Sequence, residues 1–109
     1  MSKYIFIESR DPFESRDIRF VEETATSLKQ AGHDVTVFLV QNGVLASRRR
    51  IDNASLAQMS KEGIDLLADD FSLCERGIAP TDLQEGVRAS NIESLVAALI
   101  QEDTKVIWH

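Results

Sequence analysis

Tyr4-Ile5-Phe6-Ile7, followed after one helical segment by Val35-Thr36-Val37-Phe38-Leu39-Val40, is the part of the sequence that decides the fold. Each run is rich in apolar, β-branched and aromatic residues, the signature of a strand covered on both faces, as in a parallel sheet. Between them Ile18, Val21, Ala25 and Leu28 recur at helical spacing, while Glu22, Glu23, Lys29 and Gln30 fall mostly elsewhere, so the segment reads as an amphipathic helix. Gly32 stands where that helix should end, because left-handed backbone at C′ costs glycine little. Two parallel strands need a right-handed crossover, and the helix supplies it. The three pieces make a βαβ unit with Tyr4–Ile7 expected at the centre of the sheet.

Outward from this unit the alternation continues. Ser9 to Asp17 is polar, and Asp11-Pro12-Phe13-Glu14 offers a helix start with Asp11 as N-cap, Pro12 at N1 and Glu14 at N3; Ser15 and Asp17 are alternative caps. Asn42-Gly43 reads as the turn that closes the second strand, and Val44 to Ile51 as a basic loop. A short helix is expected from about Asn53 to Lys61, with Leu56 and Met59 inward and Gly63 as its stop. Ile64-Asp65-Leu66-Leu67-Ala68 is the third strand. Asp69-Asp70-Phe71-Ser72 should then start a helix, because Asp and Ser accept hydrogen bonds from its free N–H groups, and Gly77 ends it. Residues 79–89 contain Pro80 and Gly86 and read mostly as loop, with Val87 a candidate start of a short strand. Ser90-Asn91-Ile92-Glu93 has the form of a capping box. Ile92, Leu95, Val96, Leu99 and Ile100 make an apolar helix face, and Lys105-Val106-Ile107-Trp108 is a last strand. The expected fold is a single α/β domain over residues 1–109 with a mainly parallel sheet of about five strands and helices on both faces.

Composition agrees with one folded domain. A chain of 109 residues buries roughly two thirds of the surface it exposes when unfolded. Hydrophobic residues at 43% and charged residues at 28% are ordinary for a globular protein. Cys74 is the one cysteine, so no intramolecular disulfide forms. The N-terminus moves straight into a strand pattern without the apolar core of a signal peptide, and no apolar run approaches the roughly 20 residues that span a bilayer. A cytoplasmic location without a membrane partner is the expectation. With 18 Asp and Glu against 12 Lys and Arg, the net charge of −6 disfavours nucleic acid as a partner. Arg48-Arg49-Arg50 is the one basic cluster, either a solvated loop or a contact for a phosphate or an acidic partner.

In an open parallel sheet ligands bind outside the carboxyl ends of the strands, here residues 8–17, 41–47 and 69–76. These segments carry Glu8, Arg10, Asp11, Asn42, Asp69, Asp70, Cys74 and Arg76. Arg10, Asn42, Asp69, Asp70 and Arg76 are the candidate binding residues. The glycine patterns of phosphate-binding loops are missing, and no cofactor is expected. His33 falls in a turn at the opposite strand end and His109 at the terminus, so both are expected to be solvated and no metal centre is expected. Asp69-Asp70 with Glu8 or Asp11 suits a hard cation, but capping of a helix accounts for the same residues. A hydrolytic triad finds neither a G-x-S-x-G elbow nor a histidine near a sheet-end loop. Cys74 lies just inside a predicted helix start, which favours a thiolate, while Asp69, Asp70 and Glu75 against Arg76 alone disfavour it. A reactive thiol and a small buried hydrophobe remain the two readings of that residue.

Taken together, the Tyr4–Ile7 strand, Ala31-Gly32-His33-Asp34-Val35 leading into Val37-Phe38, Asn42-Gly43-Val44, Arg76-Gly77-Ile78 and the Ser94–Trp108 segment resemble the DsrE/DsrF/DsrH family of small sulfur-relay proteins, which includes the Tus subunits of the tRNA-thiolation relay. The closing Lys105-Val106-Ile107-Trp108 is more similar to the DsrH/TusB branch and the long first loop to the DsrE-like branch. The resemblance implies a flavodoxin-like fold and assembly into homo-oligomers, trimers or hexamers, or into hetero-oligomers with related subunits. In members with the relay cysteine it also implies transfer of persulfide sulfur between partner proteins, a sulfurtransferase activity. That cysteine ends the third strand about eight residues before the glycine matching Gly77, and Asp69 stands there in this chain. Two functions follow: a non-catalytic subunit or binding module in sulfur trafficking, or a persulfide carrier using Cys74. Small-ligand binding on a flavodoxin-like scaffold is a third. Val44–Leu45 and Trp108 are candidate interface positions as well as candidate core.

Overall fold

The computed structural model describes residues 2–11, 18–51 and 53–109. Its strands are β1 (Lys3–Glu8), β2 (Asp34–Leu39), β3 (Asp65–Asp69), β4 (Val87–Ser90) and β5 (Thr104–Trp108), and its helices are α1 (Ile18–Gln30), α2 (Ala54–Lys61), α3 (Asp70–Glu75) and α4 (Ile92–Leu99). All four strand pairings are parallel and the order is β4-β3-β2-β1-β5. The expected central place of β1 holds, since it pairs on both sides. The helix start at Asp11-Pro12-Phe13-Glu14 lies outside the described residues.

Strand order and helix placement follow from one rule. From β1 to β4 the chain steps across the sheet in one direction, and right-handed crossovers stepping one way put their helices on one face. That face holds the larger core: Phe6, Val37, Leu39, Leu66 and Ala68 of the sheet meet Val21 and Ala25 of α1, Leu56 and Met59 of α2 and Leu73 of α3. Burial of each such aliphatic or aromatic side chain contributes roughly 1.5–3 kcal/mol. The last connection returns across the whole sheet to set β5 beside β1, so its helix takes the other face. There Leu95 of α4 packs on Ile5, Ile7, Phe38 and Val40. Helices therefore cover both faces, unequally. The flavodoxin order is 2-1-3-4-5; here the reversal falls between β1 and β5.

The unequal cover leaves apolar surface open. One eight-residue helix, about 12 Å long, lies on a sheet roughly 19 Å across. Ile92 and Val96 of α4 and its C-cap Ile100 are exposed, as are Val106 and Trp108 of β5, which are in register with Ile5 and Ile7. Of the interface positions expected from the sequence, Trp108 is thus 68% exposed, whereas Val44 is fully buried and Leu45 is half-buried against the larger core.

Local signals translate well, with small shifts. Gly32 has φ +94° and ends α1. Asn53 caps α2 through Leu56 N–H. The cap of α4 is Asn91, which accepts from Ser94 N–H at 2.8 Å; Ser90, the expected cap, is the last residue of β4 and is committed to the sheet. The basic loop is two 3-10 turns, Gln41–Ser47 and Arg49–Ile51, the first with Val44, Ala46 and Ser47 buried. No described helix is long and apolar enough to cross a membrane.

Candidate functional site at the carboxyl ends of the strands

The strand ends form two separate constellations. At the end of β3, Asp69 closes the strand and caps α3: its Oδ2 accepts from Ser72 N–H at 3.0 Å and from Ser72 Oγ–H at 2.7 Å. Ser72 Oγ in turn accepts from the N–H of Gln41 at 2.9 Å. Gln41 has φ +49°, so the left-handed turn residue after β2 is Gln41, and Asn42-Gly43 follows it. Asn42 Oδ1 accepts from Nε and Nη2 of Arg76 at 3.2 and 3.0 Å, while Nη1 donates to Ser72 O. The β2 and β3 ends are thus stitched together by Asp69, Ser72, Asn42 and Arg76. Of the candidate binding residues, Asn42 and Arg76 meet directly and Asp69 joins them through Ser72.

Asp69 is buried and both its cap bonds are made, so the capping reading of Asp69 holds. Asp69→Ala is expected to cost about 1–2 kcal/mol in urea unfolding, with Asp69→Asn costing far less. Equal losses for the two would exclude a capping role.

Asp70 is exposed and lines a groove of about 560 Å³ with Asp69, Phe71, Asn91, Ile92 and Glu93. Cys74 is exposed, which removes the buried-hydrophobe reading. It lines a different groove of about 440 Å³ with Leu73, Gly77, Ile78, Ala79, Pro80 and the shared Asp70. Arg10 follows β1 and is exposed; with β2 between β1 and β3, it belongs to a strand end on the order of 10 Å away.

The second constellation sits where the strand order reverses, the place at which open α/β sheets bind ligands. Glu8, the last residue of β1, is buried with its side chain 2% exposed, and its Oε2 is hydrogen-bonded with His109 Nδ1 at 2.6 Å. The other oxygen accepts from Arg10 N–H at 2.9 Å. His109 extends the pairing of β5 with β1: its N–H donates to Ile7 O at 2.8 Å, and its carbonyl accepts from Ser9 N–H at 2.9 Å. The ring of Phe20 stacks on the imidazole at 5.7 Å. Both histidines depart from the solvated expectation. His109 is held in this pair, and His33 is half-buried, accepting from Ser2 N–H and packing edge-on against Tyr4. A histidine does lie at the carboxyl ends of the strands, but the position of β5 puts it there, and spacing in the sequence carries no signal for that. Among the described residues no group of three or more His, Cys, Asp or Glu is arranged to hold a metal ion.

Two solved structures share this architecture over the full length of both chains: the ychN protein from E. coli, at TM-score 0.88 and 19% identity, and MTH1491, a protein of unknown function from Methanobacterium thermoautotrophicum, at TM-score 0.84 and 18% identity. Identities this low speak for the fold alone. No curated protein matches the chain. The family model described as DsrE/DsrF-like matches residues 2–108, all but the first and last residues. With that match over the whole fold, the chain belongs to the DsrE/DsrF-like family.

Proposed function

We propose that this chain is a cytoplasmic sulfur-trafficking protein that acts as a non-catalytic subunit or binding module, in a trimer or hexamer of its own kind or in a mixed assembly with related subunits, and that it meets a sulfur-carrier protein there. The observation that carries this reading is the state of Asp69. The family resemblance implies a relay cysteine at the end of the third strand, and here that position holds a buried carboxylate engaged in capping α3. An aspartate has no sulfur nucleophile, and this one is buried with its Oδ2 held by Ser72. Exposed Ile92 and Val96 of α4, its C-cap Ile100, and Val106 and Trp108 of β5 support the subunit role, because apolar surface of this kind marks contact sites.

A second reading has its own observation. Cys74 is exposed beside a largely apolar groove, which suits a carrier thiol. Its thiolate would attack the outer sulfur of a donor persulfide, forming Cys74–S–SH and releasing the donor as thiolate.

Intact mass after incubation with a persulfide donor, alongside Cys74→Ser and a solution mass, separates the two. The expected result is no added sulfur and a mass of several chains. Gain of one sulfur atom by the parent but not by Cys74→Ser would replace the subunit reading with the carrier. A strictly monomeric mass without sulfur gain would remove both.

A further inference from the structure

We propose that the groove between the 3-10 turns after β2 and the α3–β4 connection binds a multiply charged tetrahedral oxyanion, a phosphate or sulfate group either free or carried as an ester. The groove encloses about 510 Å³, and Arg48, Arg49, Arg50 and Arg76 line it together with Ile78 and, among the described residues, a single lining carboxylate, Asp82. A third of the 12 Lys and Arg residues of an acidic chain therefore converge on one cavity. Four guanidinium groups around a shared space repel one another, and Asp82 in the groove together with Glu75, 3.8 Å from Arg76 Nη1, offsets only part of that charge. A bound anion supplies the rest.

Two of the four are already positioned. Arg76 donates through Nε, Nη1 and Nη2 to Asn42 Oδ1 and Ser72 O, and Arg48 donates through Nε to Leu45 O at 3.0 Å. A guanidinium has five N–H donors, so both retain donors for a ligand while their orientation is set beforehand, which lowers the entropy cost of binding. Backbone pairing of Arg48 with Leu83 holds that wall of the groove in place. Arg49 and Arg50 are exposed on the 3-10 turn, and their planar forks match the geometry of phosphate and sulfate oxygens. The negative charge of the rest of the chain favours a compact anion held locally over an extended nucleic-acid strand, which would cross acidic surface.

The test is a calorimetric titration of the full chain at low ionic strength with inorganic phosphate, with inorganic pyrophosphate, with phenyl phosphate and with a short poly-glutamate peptide. Arg49→Gln/Arg50→Gln removes two exposed charges without touching the network around Asn42. Arg88→Gln, on exposed β4 and outside the groove, controls for net charge. Saturable pyrophosphate binding that weakens at least about tenfold in the double variant and stays within about twofold in Arg88→Gln is the expected result. Tighter binding of phenyl phosphate than of inorganic phosphate assigns an ester as the ligand, and the reverse assigns the free ion. No saturable binding, equal weakening by Arg88→Gln, or preference for the poly-glutamate peptide would each overturn the proposal.

Discussion

Alanine at position 43 is expected to destabilise the protein by about 3 kcal/mol or more, lowering Tm by roughly 10–20 °C. The reason is close approach of backbone to backbone. A Cβ on residue 43 would stand 2.2 Å from the carbonyl oxygen of Glu8 and 3.0 Å from its carbon. Neither atom belongs to a side chain that can turn away. The same carbonyl accepts from Val40 N–H at 2.9 Å, so relieving the clash means separating the carboxyl ends of β1 and β2. Residue 43 itself is buried and its neighbours Val44 and Ala46 are in the core, which leaves the turn no outward escape. Urea and thermal unfolding measure the effect, and an unchanged midpoint would show that the turn and β1 are not in contact in solution.

His109→Ala is expected to cost about 2–4 kcal/mol. Removing the imidazole leaves the buried Glu8 carboxylate with Arg10 N–H as its remaining hydrogen-bond donor. It also removes the stacking surface of Phe20, while the main-chain bonds of residue 109 to β1 survive the substitution. A charge left without its partner in a buried site costs more than the pair contributed when intact. The diagnostic is a double-mutant cycle with Glu8→Gln. Coupling of about 1–3 kcal/mol between the two positions is expected. Strict additivity of the two single losses would mean that the pair does not form.

Much of the local architecture is legible in the residues. Tyr4–Ile7 and Val35–Leu39 are strands because their apolar character continues on both faces. Val21, Ala25 and Leu28 face the core of α1 because they recur at helical spacing. Asp69 caps α3 because a short side-chain oxygen satisfies a free N–H within three residues. Each of these signals is contained in a few neighbouring residues. Where the reading slipped, a competing demand was tertiary: Ser90 has the composition of a cap, but pairing of β4 with β3 takes it into the sheet and moves the cap to Asn91.

The candidate site was legible only in outline. The carboxyl ends of the strands were the right places to search, and Asn42, Asp69 and Arg76 do converge there. Arg10 does not join them, because β2 lies between β1 and β3. Glu8 and His109 are 101 positions apart in the chain, and no local pattern relates them.

The residues by themselves therefore determined which segments are strands, which are helices, where most of them stop, and that the chain is a parallel α/β domain, since propensity, periodicity and capping act over a few neighbouring residues. Only the tertiary structure decided that β5 returns to the side of β1, that among the described helices α4 alone covers its face, that glycine is required at 43, and that four arginines share one groove. Those outcomes depend on which strands become neighbours, and the crossover geometry of the whole sheet sets that.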